Sequence, residues 1–222
     1  MLQTRNVDIA EVLRDARLGD LRMLAEEPRA YDVLHTATNA LFDLLESRQI
    51  DYVLVGGMAM LQYVEGRNTR DIDLILSPSD LERLPELEIS SREDPFARAN
   101  FHGVQVDFLL TVNRVFEIVR EKHATDKPFG GRIIRCATPV GLVLMKLFAL
   151  PSLCGHGDFG RVGIYENDIA QLLQQLEIDA ETLVAEIERE VLPSDFREML
   201  SLVGKLRERI ARFDKRSGPE GD

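Results

Sequence analysis

Apolar residues recur along this chain with two different periods. Near the N-terminus the spacing is helical: Val7, Val12, Leu13, Ala16, Leu21 and Leu24 predict an amphipathic helix over residues 7–26, interrupted at Gly19. A second stripe, Leu34, Ala37, Leu41, Leu44 and Leu45, predicts a helix from Tyr31 to Arg48. The period then shortens. DYVLVGG, starting at Asp51, reads as a short buried strand ended by glycine, MAMLQYVEG as a helix, and TRDIDLIL as a strand again. SDLERL predicts a short helix capped by Ser79. Residues 86–96 read as polar and irregular, and FARANFHGVQVDFLL as two strands joined through His102-Gly103. Thr111 to Lys122 predicts a helix and Gly131 to Cys136 a strand. TPVGLVLMKLFAL starts a helix with Thr138 as cap and Pro139 at its first position. SLCGHGDFGRVG reads as a glycine-rich loop, and from Ile164 the chain is helical to about Phe213, followed by a tail expected to be disordered.

The order is therefore helices, a mixed α/β centre over about residues 50–150, and helices again. This predicts an N-terminal helical extension (1–30), a core (31–150) built as a small mixed sheet with helices on one side, an α-helical C-terminal region (151–213) and a tail (214–222). The last helix carries Phe196, Leu200, Val203, Leu206, Ile210 and Phe213 as a continuous apolar seam. Packing on its own domain is the first expectation for that seam, a homodimer or partner-helix contact the second.

Length and composition place few limits beyond these. At 222 residues and 45% apolar content the chain can bury a real core. No stretch has the roughly 18 apolar residues of a membrane span, and MLQTRNVDIAEVLRD has charges where a signal peptide needs an apolar run. No membrane partner is expected, and the cytoplasm is the expected address. Cys136 and Cys154 lack metal-ligand spacing and read as two reduced thiols. A net charge of −11 argues against general coating of nucleic acid. Between Thr111 and Arg135, however, six basic residues (Arg114, Arg120, Lys122, Lys127, Arg132, Arg135) stand against three acidic ones (Glu117, Glu121, Asp126), a local net of +3. A solvated mixed-charge surface is the expectation there, a polyanion face the alternative.

The candidate chemistry lies in VLVGGMAMLQYVEGRNTRDIDLIL. Strand alternation puts Asp71, Asp73 and Ile75 on one face, with the two carboxylates about 7 Å apart at their Cα atoms. In VQVDFLL the same alternation makes Asp107 a third acid on a strand otherwise built for burial. Three converging carboxylates repel one another unless a cation neutralises them, and oxygen-only ligation favours Mg²⁺ or Mn²⁺ over zinc. Gly56-Gly57 forms a tight turn into a helix whose free N–H groups can hold an anion, and glycine lets a phosphate come close. A phosphate site beside a divalent metal cluster describes nucleotidyl or phosphoryl transfer.

This combination, Gly56-Gly57, thirteen intervening residues, Asp71-Ile72-Asp73 and a later strand aspartate, resembles the nucleotidyltransferase superfamily that includes DNA polymerase β. Within it, GGMAM followed by GRNTRDIDLIL resembles the minimal bacterial nucleotidyltransferases of the AbiEii toxin type and is also similar to lincosamide-type antibiotic nucleotidyltransferases. The shared string is Arg67-x-Thr69-x-Asp71-x-Asp73, and the resemblance spans roughly residues 35–170. It implies an α/β (α+β) nucleotidyltransferase core and an NTP substrate. Asp71 and Asp73 would ligate two metals, and Asp107 would ligate the catalytic one and help deprotonate the acceptor. Gly56 and Gly57 would hold the triphosphate, Lys146 would lie near the phosphates, Thr69 would order the turn into the DID strand and Arg67 would add positive charge. AbiEii-type members follow the lysine helix with an arginine and a Lys-Asp-x-x-Asp-like motif, whereas this chain offers Arg161 and then Tyr165-Glu166-Asn167-Asp168, without that lysine. The expected function is Mg²⁺-dependent nucleotidyl transfer to a small-molecule, RNA or protein acceptor, in an enzyme related to toxin–antitoxin pairs. The alternatives are an inactive nucleotide- or partner-binding regulator of the same fold and an antibiotic-type small-molecule nucleotidyltransferase.

Overall fold

The structure, a computed structural model, describes residues 28–64, 69–176 and 180–217. The helix expected over 7–26 and the last five residues of the expected tail lie outside them. Among the described residues the chain forms two compact units, the first ending at Thr138 and the second beginning at Pro139.

The first unit is built on a seven-stranded mixed sheet. Its elements run α1 (Pro28–Ser47), β1 (Tyr52–Val55), α2 (Gly56–Met60), β2 (Asp71–Leu76), α3 (Pro78–Leu81), β3 (Glu88–Glu93), β4 (Phe96–Phe101), β5 (Val104–Leu110), α4 (Arg114–Lys122), β6 (Ala124–Phe129) and β7 (Arg132–Ala137). The strand order is β3-β4-β5-β2-β1-β7-β6, with β2 parallel to β5, β1 parallel to β7 and the other neighbours antiparallel. The alternation of VQVDFLL appears as burial at every second residue from Val104 to Leu110, and FARANF alternates in the same way.

Helices cover both faces of this sheet, not one. Phe42 of α1 stacks on Tyr52 and packs edge-on against Phe129. Tyr52 pairs with Leu76, whose side chain points away from the face that carries Asp73. Phe116 of α4 packs against Phe96, which pairs with Leu109 on the Asp107 face. α1 thus closes one side of the sheet, where Leu41 and Leu45 of the helix and Leu54, Leu74 and Phe108 of the strands are solvent-free, while α4 meets the other side near Phe96.

Two strands escaped the periodicity. β3 has the sequence EISSRE and is exposed at every position, so it has no buried face to impose alternation. β6 contains Pro128, a residue that argues against a central strand and is tolerated at an edge, which is where β6 lies. The short helix after β2 is capped by Ser77 and not by Ser79: Ser77 Oγ accepts from the Asp80 N–H at 3.0 Å, and Pro78 occupies the first turn. The net positive segment is partly neutralised by its neighbours, Asp43 and Asp51 taking its charge from +3 to +1. Arg120 and Arg135 both reach Asp51 at 3.3 Å, Arg132 pairs with Asp43 at 2.6 Å, Arg114 pairs with Glu117, and Lys127 is buried over the Tyr63 ring.

The second unit is helical: α5 (Pro139–Gly155), α6 (Phe159–Leu173), α7 (Ala180–Ala185), a 3₁₀ turn (Glu188–Glu190) and α8 (Pro193–Ser217). The expected glycine-rich loop shrinks to residues 156–158, because α5 continues through Pro151 to Gly155 and Asp158 caps α6 by accepting from the Arg161 N–H at 3.2 Å. In the C-terminal seam Val203 and Leu206 are buried while Phe213 is exposed, and the helix runs on to Ser217. No described helix is long and apolar enough to cross a membrane. Both cysteines are free; Cys136 is buried, and desolvation pushes its thiol up to about 12, whereas Cys154 is exposed.

Inside the second unit lies a buried ion pair. Lys146 Nζ of α5 sits 2.8 Å from Asp168 Oδ2 of α6 and 4.3 Å from the centre of the Tyr165 ring. Asp168 is fully buried and Lys146 nearly so. Removing one member of such a pair leaves an uncompensated charge, so Asp168→Ala is expected to destabilise the chain by about 3–5 kcal/mol. The double replacement Lys146→Met with Asp168→Leu is expected to recover most of that loss. Urea denaturation of the three proteins checks both outcomes.

Candidate active site

The site is assembled by strand register. β2 and β5 run parallel with Asp73 beside Asp107 and Asp71 beside Gln105, and β4 runs antiparallel to β5 with Arg98 across from Asp107. Residues in register share a face, so these five side chains project together. One oxygen from each of Asp71, Asp73 and Asp107 lies within 4.8 Å of the others, and all three acids are half-buried. Oxygens on opposite sides of a hard divalent ion bound at about 2.0–2.6 Å lie about 4–5 Å apart, so the donor set and its spread suit such an ion.

Asp71 and Asp107 are each held by neighbours. Thr69, buried just before β2, donates from Oγ1 to Asp71 Oδ1 at 3.0 Å. Gln105 donates from Nε2 to Asp107 Oδ2 at 2.9 Å. Arg98 forks across Asp107, with Nε 2.6 Å from Oδ1 and a terminal nitrogen 3.1 Å from Oδ2. Charge-assisted pairs of this forked kind fix orientation as well as charge. The guanidinium pKa is raised, first by its hydrogen bond to Asp107 and then by the charge of that carboxylate, with Asp71 and Asp73 contributing further.

The glycine pair fits against the same acids. Gly56 has φ +64°, and a Cβ placed on it would lie 1.9 Å from Asp73 Oδ2. A Cβ on Gly57 would meet Thr69 Oγ1 at 2.6 Å. The sequence motivates these glycines by the approach of a phosphate; the structure adds a second reason, the seating of Asp73 and Thr69 directly against the backbone. The helix that follows has Val55 at its N-cap and no side-chain cap.

Of the residues singled out in the sequence, Gly56, Gly57, Thr69, Asp71, Asp73 and Asp107 come together. Arg67 lies outside the described residues. Lys146 belongs to the second unit, where its immediate partners are Asp168 and Tyr165. Arg98 and Gln105 were missed. The two-residue His102-Gly103 connection fixes the hairpin register with Phe101 opposite Val104, and counting back from it places Arg98 across from Asp107. Gln105 follows from alternation alone.

No protein-family model matches the sequence, and no curated protein sequence matches it either. The fold, by contrast, has solved counterparts. An antigenic nucleotidyltransferase-like protein from Paracoccidioides brasiliensis is similar with a TM-score of 0.50 at 17% identity, over 79% of this chain and 95% of the other. The nucleotidyltransferase ANT(2")-Ia, solved in complex with adenylyl-2"-tobramycin, is similar with a TM-score of 0.50 at 13% identity, over 79% and 97%. The chain has the mixed α/β fold of nucleotidyltransferases.

The Gly56 contact is testable against a glycine with the same backbone strain and no neighbour. Gly131 has φ +85° and nothing within 4 Å of an added Cβ. Alanine at Gly131 is expected to cost about 1–3 kcal/mol of stability through strain alone. Alanine at Gly56 is expected to cost more, because Asp73 must also move, and to weaken Mn²⁺ binding, which Gly131→Ala leaves intact. Chemical denaturation and Mn²⁺ titration of both variants check this.

Proposed function

We infer that the chain is a divalent-metal-dependent nucleotidyltransferase. The observation that carries this reading is the convergence of Asp71, Asp73 and Asp107 on one face of a nucleotidyltransferase fold, beside the Gly56-Gly57 turn. Asp71, Asp73 and Asp107 would hold Mg²⁺ or Mn²⁺. A bound ion neutralises the triphosphate and polarises the phosphoryl oxygens. The uncapped helix start at Gly56-Gly57 offers backbone N–H groups to a phosphate. In the reaction, an acceptor hydroxyl oxygen bonds to the α-phosphorus of an NTP, the bond to pyrophosphate breaks, and the hydroxyl proton passes to Asp107. Thr69 holds Asp71 in orientation and Gln105 holds Asp107.

For the acceptor, a small molecule is the favoured reading. The chain carries a net charge of −11, and the basic residues between 111 and 135 are largely paired with local acids, so no described surface there is set up for a polyanion. ANT(2")-Ia, of similar fold, was solved with an adenylylated small molecule, which supports the same reading. A toxin-type enzyme that modifies RNA or protein is the competing acceptor class, and its product would differ. An inactive regulator of the same fold would bind NTP and release no pyrophosphate.

Incubation with α-labelled NTPs and Mg²⁺ or Mn²⁺, with mass spectrometry of the products, tests the reading. Several kcal/mol of transition-state stabilisation from the ion corresponds to a rate factor of roughly a hundred or more. Asp73→Asn is therefore expected to lose at least that factor in pyrophosphate release. Equal turnover by the variant would remove Asp73 from the chemistry.

A further inference from the structure

The forked contact between Arg98 and Asp107 does not belong to the chemistry just described and works against part of it. A carboxylate whose two oxygens both accept from a guanidinium, with Gln105 on one of them, has little capacity left for an ion or a proton. Three carboxylates and one guanidinium leave a formal charge of −2, which a single divalent ion balances. With the guanidinium withdrawn the charge is −3, and a second ion becomes favourable.

We propose that Arg98 is a tethered counter-ion that competes with divalent metal for Asp107, so that the three-acid site takes one ion while Arg98 is in place and a second only when it swings away. The inference rests on the metal-site reading above. Arg98 is suited to such an exchange. Its side chain is half exposed (52%), on β4, next to the outermost strand on that side of the sheet, so it can leave without opening the core. Asp107 is less exposed (22%) and stays where β5 holds it. A guanidinium released from a carboxylate presents the same planar fork to phosphate oxygens, so an incoming metal–triphosphate brings a replacement partner for each half of the pair. Arg98 is in this sense a positioning residue acting through Asp107.

The test is Mn²⁺ titration of the full chain, reading free Mn²⁺ by electron paramagnetic resonance, on wild type, Arg98→Gln, Asp107→Asn and the double variant. Thermal melting confirms folding, which a half-exposed arginine is not expected to compromise. The expected result is one ion bound by wild type. Arg98→Gln is expected to take a second, or to bind the first about tenfold more tightly, corresponding to about 1.4 kcal/mol. That gain should vanish when Asp107→Asn is added. A purely structural role for Arg98 predicts the opposite, weaker binding in Arg98→Gln, and that result overturns the proposal. Equal affinity and stoichiometry in wild type and Arg98→Gln overturn it as well, while leaving the metal site standing. If neither protein binds Mn²⁺, the metal-site reading itself fails and takes this inference with it.

Discussion

Two like charges on adjacent strands are the constraint that organises the first unit. The parallel register of β2 and β5 sets Asp73 beside Asp107, and alternation adds Asp71 to the same face. Like charges about 5 Å apart repel by about 3 kcal/mol at an effective dielectric of about 20. Nearby features answer to that repulsion. Gly56 lets Asp73 sit against the backbone, Thr69 and Gln105 supply donors to its neighbours, and Arg98 places a positive charge on the acid at the far side of the cluster. A sheet that needed only to be stable would have apolar side chains at these positions, as it does further along the same face at Ile75 and Leu109.

Much of this was legible in the sequence wherever one face is buried. Alternation located β2, β4 and β5, put Asp71 and Asp73 on one face and marked Asp107 as a third acid, which the β2–β5 register then brings beside them; the helical spacing of Leu34, Ala37, Leu41 and Leu45 located α1. The reading failed where burial imposes no pattern. β3 is polar on both faces, and in β6 a proline masks an otherwise ordinary edge strand. It also failed where local composition misled: glycines between residues 152 and 163 suggested a loop, but α5 runs through Pro151 to Gly155 and α6 starts at Phe159. Arg98 shows a different kind of miss, since its importance depends on pairing across a hairpin and not on its neighbours in the chain.

The same contrast applies to charge. Counting residues between 111 and 135 gives a positive segment; folding brings Asp43 and Asp51, far away in sequence, against it. The second unit shows the reverse. Nothing in the sequence pairs Lys146 with Asp168, yet the helix pair that carries them buries both charges together, an arrangement with little net stability to offer and a strict demand that both partners be present.

The two outermost strands have a bearing on self-association. β3 presents only exposed side chains, among them Glu88, Arg92 and Glu93, and β6 is interrupted by a residue without an amide hydrogen. Rims of this kind resist edge-to-edge growth of a sheet into its neighbour. Such rims favour helical or loop surfaces over a sheet continued from one molecule to the next for any self-association of this chain.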